Sequence, residues 1–581
     1  METPWGNNSA LRRFFGGRHG RNLREYLAAY ALITPALLLI FTFGIFPVAF
    51  AVYVSLHKWL IVRDEFTGLG NYVTAVGGFA YLGLFALGVG GLVGAFVLAR
   101  PILRPSSTSG GRSAWPLVIP AAAYAAAALA GVRWIYLELP EFLDIAPKMR
   151  GLERTRELFL RLLSEAFHAE TAHAAWGLFV QLALLAAAFA LVTALVRRVS
   201  ARPEVQARLT AAWLGLIVGL GLLTAAFGAV RQAYAAAVST GEDPGIWPQL
   251  ITVSAGVLLL WPAWRLWRSA EGQTGHRLFI LRIFAAVVLM VAAVLLIVEI
   301  PTIVASGDPT LWNGLKVTVF FSLGTVPIQL TIALFLSVLL FGQKRAAGTF
   351  RVIFFLPYVT PALASATVFR LMFSERPSAP INRMLVSFGV AAQDWLREPE
   401  GILSLLTRAA GVSDYPTAVL PAWLPADLST LLADWLVGPS QALMVVILLS
   451  VWTYVGYNVV IYLAGLANIP PELAEAAEID GADRWGVFRH VTFPLLSPTT
   501  YFLSLIAIMG TFKAFNMLWL LRQSVGTGLG SLNTISVVIF DQFFVRTRYG
   551  YASALAFVLF AIILALTVFN NRVQGSRVFY G

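Results

Sequence analysis

The chain has no cysteine, and only 12% of its 581 residues are charged. No cysteine means no disulfide, no thiolate metal site and no thiol nucleophile. With few charges, 58% hydrophobic residues and a mean hydropathy of +0.75, a soluble fold of this length cannot cover its own apolar surface. Histidine is scarce too, with six residues that fall mostly outside the apolar runs. That argues against catalysis or metal binding at membrane depth, which needs convergent bases or ligands. His168, Glu170 and His173 form the one grouping that invites a metal reading, and a solvated face accounts for them, so no metal is expected. A phosphate-binding loop is missing as well: Gly342 to Thr349 lacks the Lys-Ser/Thr pair at the needed spacing.

What the chain does have is long apolar runs. About twenty apolar residues span a bilayer, and twelve segments qualify. They lie at about 28–56, 79–99, 115–132, 174–196, 209–230, 248–267, 279–300, 313–341, 351–373, 438–466, 498–520 and 551–570. The fold class expected is therefore all-α, a polytopic transmembrane helical bundle of about 12 spans. The first run is too long for a signal-peptide core and is read as a retained helix.

Basic residues alternate between loops. Arg100, Arg104 and Arg112 mark one connection, Arg197, Arg198, Arg202 and Arg208 the next even-numbered one, and Lys344, Arg345 and Arg351 a later one. This alternation predicts that both termini are cytoplasmic. It also places the net charge of +12 in short loops, so no nucleic acid is expected as a partner; membrane lipid is. Residues 133–173 read as an outward loop. Leu158, Phe159, Leu162, Leu163 and Phe167 make one apolar stripe there, which fits either a helix lying on the leaflet or a cap packed over the bundle.

The connection 467–497 is the long cytoplasmic one. Pro470-Pro471 ends the preceding span and allows a new helix to begin at Pro471. Residues to Asp480 favour helix, Gly481 permits a sharp turn, and a second short helix fits Ala482–His490. Ala474, Ala476 and Ala477 allow close approach to a partner, and Glu475 and Asp480 offer it charge. An ordinary alanine-rich loop fits the residues alone equally well.

The spacing resembles the EAA loop of ABC importer permeases, in which Glu475, Ala476, Ala477, Gly481 and Pro494 all fall on the pattern. Phe66-Thr67-Gly68-Leu69-Gly70-Asn71-Tyr72, Phe355-Leu356-Pro357-Tyr358, Ile381-Asn382 and Gly550-Tyr551-Ala552-Ser553-Ala554 are similar to segments of maltose-type sugar permeases, close to the larger of their two permease subunits. Val525 to Gly530 departs from the family's Thr-x-Gly-Gly-Pro run. The resemblance implies a non-enzymatic pore subunit working with a second permease subunit, an ATPase dimer and an extracytoplasmic solute-binding protein. No cofactor would sit on this chain, and ATP and Mg would be bound by the ATPase. The EAA helix would dock into a cleft on that ATPase.

The resemblance covers about 26–77 and 308–581. Three regions are therefore expected: 1–77 with the first core span, 78–305 as an inserted six-helix membrane bundle, and 306–581 as the rest of a six-helix permease core. A sugar site needs hydroxyl-pairing side chains and aromatic faces. The tenth span offers Ser450, Trp452, Thr453, Tyr454, Tyr457 and Asn458, and the eleventh Thr511, Lys513 and Asn516. By the resemblance, substrate positions fall on Ser450, Thr453, Tyr454, Tyr457 and Thr511, with Ala507, Gly510 and Ala514 losing the polar or aromatic groups the family carries there. An ion-coupled secondary transporter and a membrane assembly factor without transport activity are the competing functions. The spans hold almost no Asp or Glu, against the first of these.

Overall fold

A computed structural model of the chain describes residues 18–60, 63–103, 115–153, 155–195, 203–241, 255–256, 259–260, 262–269, 276–297, 304–342, 347–412, 414–525 and 530–574. Among the described residues it is all-α apart from one two-stranded ribbon. The chain divides into two compact units, Met1–Ala75 with Pro309–Gly581, and Val76–Asp308. Among the described residues nine helices are long and apolar enough to cross a membrane, and one further pair passes the test as a bent span.

The first unit starts with α1 (Arg18–Ile40), a π-turn over Phe41–Ile45 and α2 (Phe46–Ser55). Strands β1 (His57–Trp59) and β2 (Arg63–Phe66) pair antiparallel, His57 opposite Phe66, and α3 (Gly70–Val76) follows. Asn71 ties this turn together: its Nδ2 donates to the carbonyls of Ser55 (2.8 Å) and His57 (2.9 Å). The Tyr72 hydroxyl lies 2.8 Å from Ser55 Oγ, and burial raises its pKa. The Asn-Tyr segment thus closes the end of the first span, where helix carbonyls have no partners of their own.

The second unit contains α4 (Phe79–Leu103), α5 (Val118–Lys148), α6 (Arg156–Phe167), α7 (Glu170–Leu195), α8 (Pro203–Thr240) and α9 (His276–Ile297). The third expected span is longer than hydropathy drew it. Helix α5 runs on through Glu138 and Asp144 to Lys148, so residues 133–148 are helix and not loop. Charge lowers the hydropathy average without lowering helix propensity. The amphipathic α6 forms where the apolar stripe places it; Thr155 caps it by accepting from the Leu158 N–H, and Phe167 meets Phe142 edge-on at 5.1 Å. His168 Nδ1 lies 2.7 Å from the Ser164 carbonyl, and the His168 and His173 rings stack at 5.9 Å. Half of the expected span 248–267 lies outside the described residues.

The first unit resumes with α10 (Pro309–Phe341), α11 (Ala347–Val359), α12 (Ala362–Met372), α13 (Pro380–Ser387), α14 (Ile402–Ala409), α15 (Ala426–Leu436) and α16 (Gln441–Ala467). The single span expected at 351–373 is two helices bent by 90°. Pro361 has no N–H to give and disfavours helical backbone at Thr360, and the bend falls there. Asn382 organises the loop beyond: Nδ2 donates to the carbonyls of Ser374 and Gln393, and Oδ1 accepts from Trp395 Nε1. Helix α16 is the hub, 61% of its apolar window being buried against at most 33% for any other candidate span. Val446, Leu449 and Val459 lie at the centre of the core it shares with α10.

Then come α17 (Pro471–Ile479), α18 (Arg484–Val487), a π-turn, α19 (Phe493–Leu495), α20 (Ser497–Phe512), α21 (Asn516–Val525), α22 (Ile535–Phe540), a second π-turn and α23 (Tyr549–Gln574). Most of the departure segment Val525–Gly530 lies outside the described residues.

Candidate functional site

Two features of the first unit invite a functional reading, an internal cavity and the exposed loop between α16 and α20.

The loop is built as its residues require. Pro471 opens α17 and Gly481 ends it at φ +89°. The Gly481 N–H donates to the Glu478 carbonyl (3.0 Å) and the Ala482 N–H to the Ala477 carbonyl (2.9 Å), the paired bonds of a glycine-terminated helix. A Cβ on Gly481 would meet nothing within 4 Å, so the backbone angle alone demands glycine. Asp483 then caps α18 by accepting from the Gly486 N–H at 2.7 Å. Trp485 stacks on Phe488 at 5.4 Å, and Phe488 meets Phe493 at 6.0 Å.

The loop's surface is one-sided in charge. Glu472, Glu475, Glu478, Asp480 and Asp483 lie between 471 and 483 with no basic residue among them. Leu473, Ile479, Trp485 and Phe493 are exposed beside them, Ile479 at 85%. Ala476 is exposed and Ala477 half-buried, while Pro494 starts the last short turn before α20. An acidic helix with uncovered apolar side chains is a surface for a partner with basic and apolar groups.

The cavity has a volume of about 500 Å³ and is walled by α10, α11, α12, α16, α20 and α21. Ser450, Tyr454, Tyr457, Asn458 and Thr511 of the expected set line it together. Thr453 does not; its hydroxyl donates back to the Leu449 carbonyl at 2.8 Å within α16. Thr511 donates to the Ile508 carbonyl (2.9 Å) and lies 2.9 Å from Ser322 Oγ, so it also ties α20 to α10.

Three polar lining residues escaped sequence reasoning. Thr325 and Gln329 come from α10 and Tyr358 from α11. Tyr358 stacks on Tyr457 at 5.0 Å and meets Tyr454 edge-on at 5.9 Å, giving a wall of three phenols. Among the described residues, Thr325 Oγ1, Gln329 Oε1 and Asn458 Nδ2 are buried with no hydrogen-bond partner in the protein. A buried polar atom left unmade costs roughly 1–3 kcal/mol, so these atoms await a hydroxylated occupant or water. A glutamine within an apolar span was the available signal.

The backbone opens at the cavity as well. Helix α20 stops at Phe512 and α21 begins at Asn516, so Lys513, Ala514 and Phe515 line the cavity as non-helical chain. Ser536 donates to the Phe512 carbonyl (3.0 Å) and Thr534 to that of Ala514 (3.4 Å), which satisfies part of the freed backbone. Irregular backbone within an apolar stretch is tolerated where it is buried in protein or lines a cavity. Lys513 is the one charged residue of the lining, which holds no carboxylate.

Residues 317–577 match the family described as binding-protein-dependent transport system inner membrane component. The chain is 29% identical over 272 residues to the lactose transport system permease protein LacF of Rhizobium radiobacter, covering 46% of this chain and 78% of that one. It is 27% identical over 276 residues to the arabinooligosaccharides transport system permease protein AraP of Bacillus subtilis, covering 47% and 74%. Over 275 residues it is 28% identical to the sn-glycerol-3-phosphate transport system permease protein UgpA of Agrobacterium fabrum, covering 47% and 79%. The family match lies wholly within the first unit, and Val76–Asp308 falls outside it.

Proposed function

We propose, from the match of residues 317–577 to the binding-protein-dependent transport system inner membrane component family, that this multi-pass membrane protein is the pore subunit of an ATP-driven importer for a sugar or oligosaccharide. The observation that carries the reading is the cavity. Its unpaired Thr325, Gln329 and Asn458 atoms beside the Tyr358–Tyr454–Tyr457 wall suit a solute with many hydroxyls and an apolar ring face. Lactose and arabinooligosaccharides, for which two of the similar permeases are named, are solutes of this kind.

The loop 467–497 is the coupling element in this proposal. Glu475, Asp480 and the exposed Leu473 and Ile479 meet a separate ATPase dimer, with Ala476 and Ala477 allowing close approach and Gly481 fixing the turn. ATP and Mg stay on that dimer. A second permease subunit completes the pore, and a solute-binding protein delivers the sugar from outside. The chain sits in a bacterial cell membrane with both termini in the cytoplasm, as the alternating basic loops indicate.

The test is reconstitution. The chain is purified from its own membranes with whatever proteins accompany it, and the complex is placed in proteoliposomes. Sugar uptake that needs ATP and the binding protein is expected. Uptake driven by an ion gradient without nucleotide would replace this reading with secondary transport.

A further inference from the structure

The second unit has no part in that proposal, and its tightest helix contact leads to a site of its own. Helices α4 and α8 touch backbone to backbone. A Cβ on Gly91 would meet the Gly215 carbonyl at 3.0 Å, and one on Gly219 would meet the Gly88 carbonyl at 2.9 Å. Small residues permit this approach in lipid. The pairs run in opposite directions along the two helices, so α4 and α8 are antiparallel. Carried along α4 to Arg100, the same register sets that residue level with Arg208 of α8 to within one or two residues.

Next to that level lies a cavity of about 440 Å³. Phe96 and Ala99 of α4, Val118 of α5 and Ala212, Trp213 and Leu216 of α8 form much of its wall. The wall is apolar, and the one polar side-chain atom in it, Trp213 Nε1, is engaged with the Val118 carbonyl at 3.2 Å. Phe96 is 63% exposed, so the groove opens sideways. From Arg208 to Leu216 is about 12 Å of helix, close to the ~15 Å depth of one leaflet's hydrocarbon.

We propose that this groove holds an acyl chain of an anionic glycerophospholipid, with the phosphate between Arg100 and Arg208. Charge selects the occupant. Both arginines are exposed, and among the described residues neither makes an ion pair, Glu204 one turn before Arg208 included. A transmembrane helix in the groove would cover the apolar wall and leave both guanidinium groups unanswered. A phosphodiester headgroup answers them at the groove's mouth, where guanidinium pairs well with phosphate oxygens. The basic loops mark this end as cytoplasmic, the leaflet face where anionic lipid draws Lys and Arg.

The experiment uses the whole complex in nanodiscs of equal phosphatidylglycerol and phosphatidylethanolamine, released into detergent and weighed by native mass spectrometry. One retained lipid is expected, with phosphatidylglycerol favoured roughly tenfold or more. Arg100→Gln with Arg208→Gln, both on exposed positions, should bring the ratio to about one. Ala99→Phe, which fills the groove and keeps both arginines, should remove the adduct. A ratio near one in the unaltered protein, an adduct untouched by these changes, or a photo-cross-link from position 216 to a helix of another protein would each overturn the proposal. None of these outcomes bears on the transport reading, which rests on the other unit.

Discussion

A Cβ on Gly456 would fall inside the backbone carbonyl of Phe354. Helix α11 therefore lies on α16 with no side chain between them at that point. One turn further, Tyr358 stacks on Tyr457 and closes the aromatic wall of the cavity. Gly456→Ala forces α11 outward and moves that ring, at a cost of about 1–3 kcal/mol for overpacking. Uptake should fall roughly tenfold or more, while the ATPase still co-purifies through α17. Unchanged uptake by this variant would show that Tyr358 is not part of the path.

Gly481 is under a different constraint. Its left-handed backbone is the requirement, with open space around it. A side chain there costs roughly 1–2 kcal/mol, less for asparagine, which tolerates that region. Sugar-stimulated ATP hydrolysis should rank glycine above asparagine, then alanine, with proline inactive. Equal activity across the series would remove the turn from the coupling mechanism.

Charge makes a separate prediction at the same loop. Glu475→Lys puts one base among four remaining acids between 471 and 483. ATPase affinity should drop roughly three- to tenfold at low salt, and the deficit should shrink as salt screens it. A loss that salt does not touch would mean that Glu475 acts through packing.

The loop's turn was legible because glycine and proline act on their own backbone. Pro471 and Gly481 sit at the ends of α17, where local chemistry puts them. Apolar runs were legible for a similar reason, and the run at 438–466 became Gln441–Ala467. The 90° bend between Val359 and Ala362 was not, because hydropathy averages over many residues and a single dihedral at Thr360 leaves the average unchanged. The cavity was half legible. Ser450, Tyr454, Tyr457 and Asn458 are neighbours in one helix, whereas Gln329 joins them only because α10 packs on α16, more than a hundred residues later in the chain.

Asn71 gives a prediction about stability. Its amide donates to two carbonyls, Ser55 and His57, that have no helical partner. Asn71→Ala leaves both acceptors unpaired, at about 2 kcal/mol in total. The purified complex should unfold at lower temperature, and uptake by the folded fraction should stay normal. Lost uptake with unchanged thermal stability would give Asn71 a direct role that its hydrogen bonds do not indicate.

Gln329 separates binding from packing. Its Oε1 is buried in the cavity wall without a partner, so Gln329→Leu removes an unsatisfied acceptor while keeping most of the volume. Replacing such a group by an apolar one is neutral or stabilising in the resting protein. If the oxygen pairs with a sugar hydroxyl during passage, the same change should raise KM for uptake about tenfold, equivalent to roughly 1.4 kcal/mol. The two effects oppose each other, which makes the experiment decisive: thermal stability held or raised together with a higher KM places Gln329 on the solute's path. A loss of stability with KM unchanged makes it a packing residue between α10 and α16, and the unpaired atom would then need water as its partner.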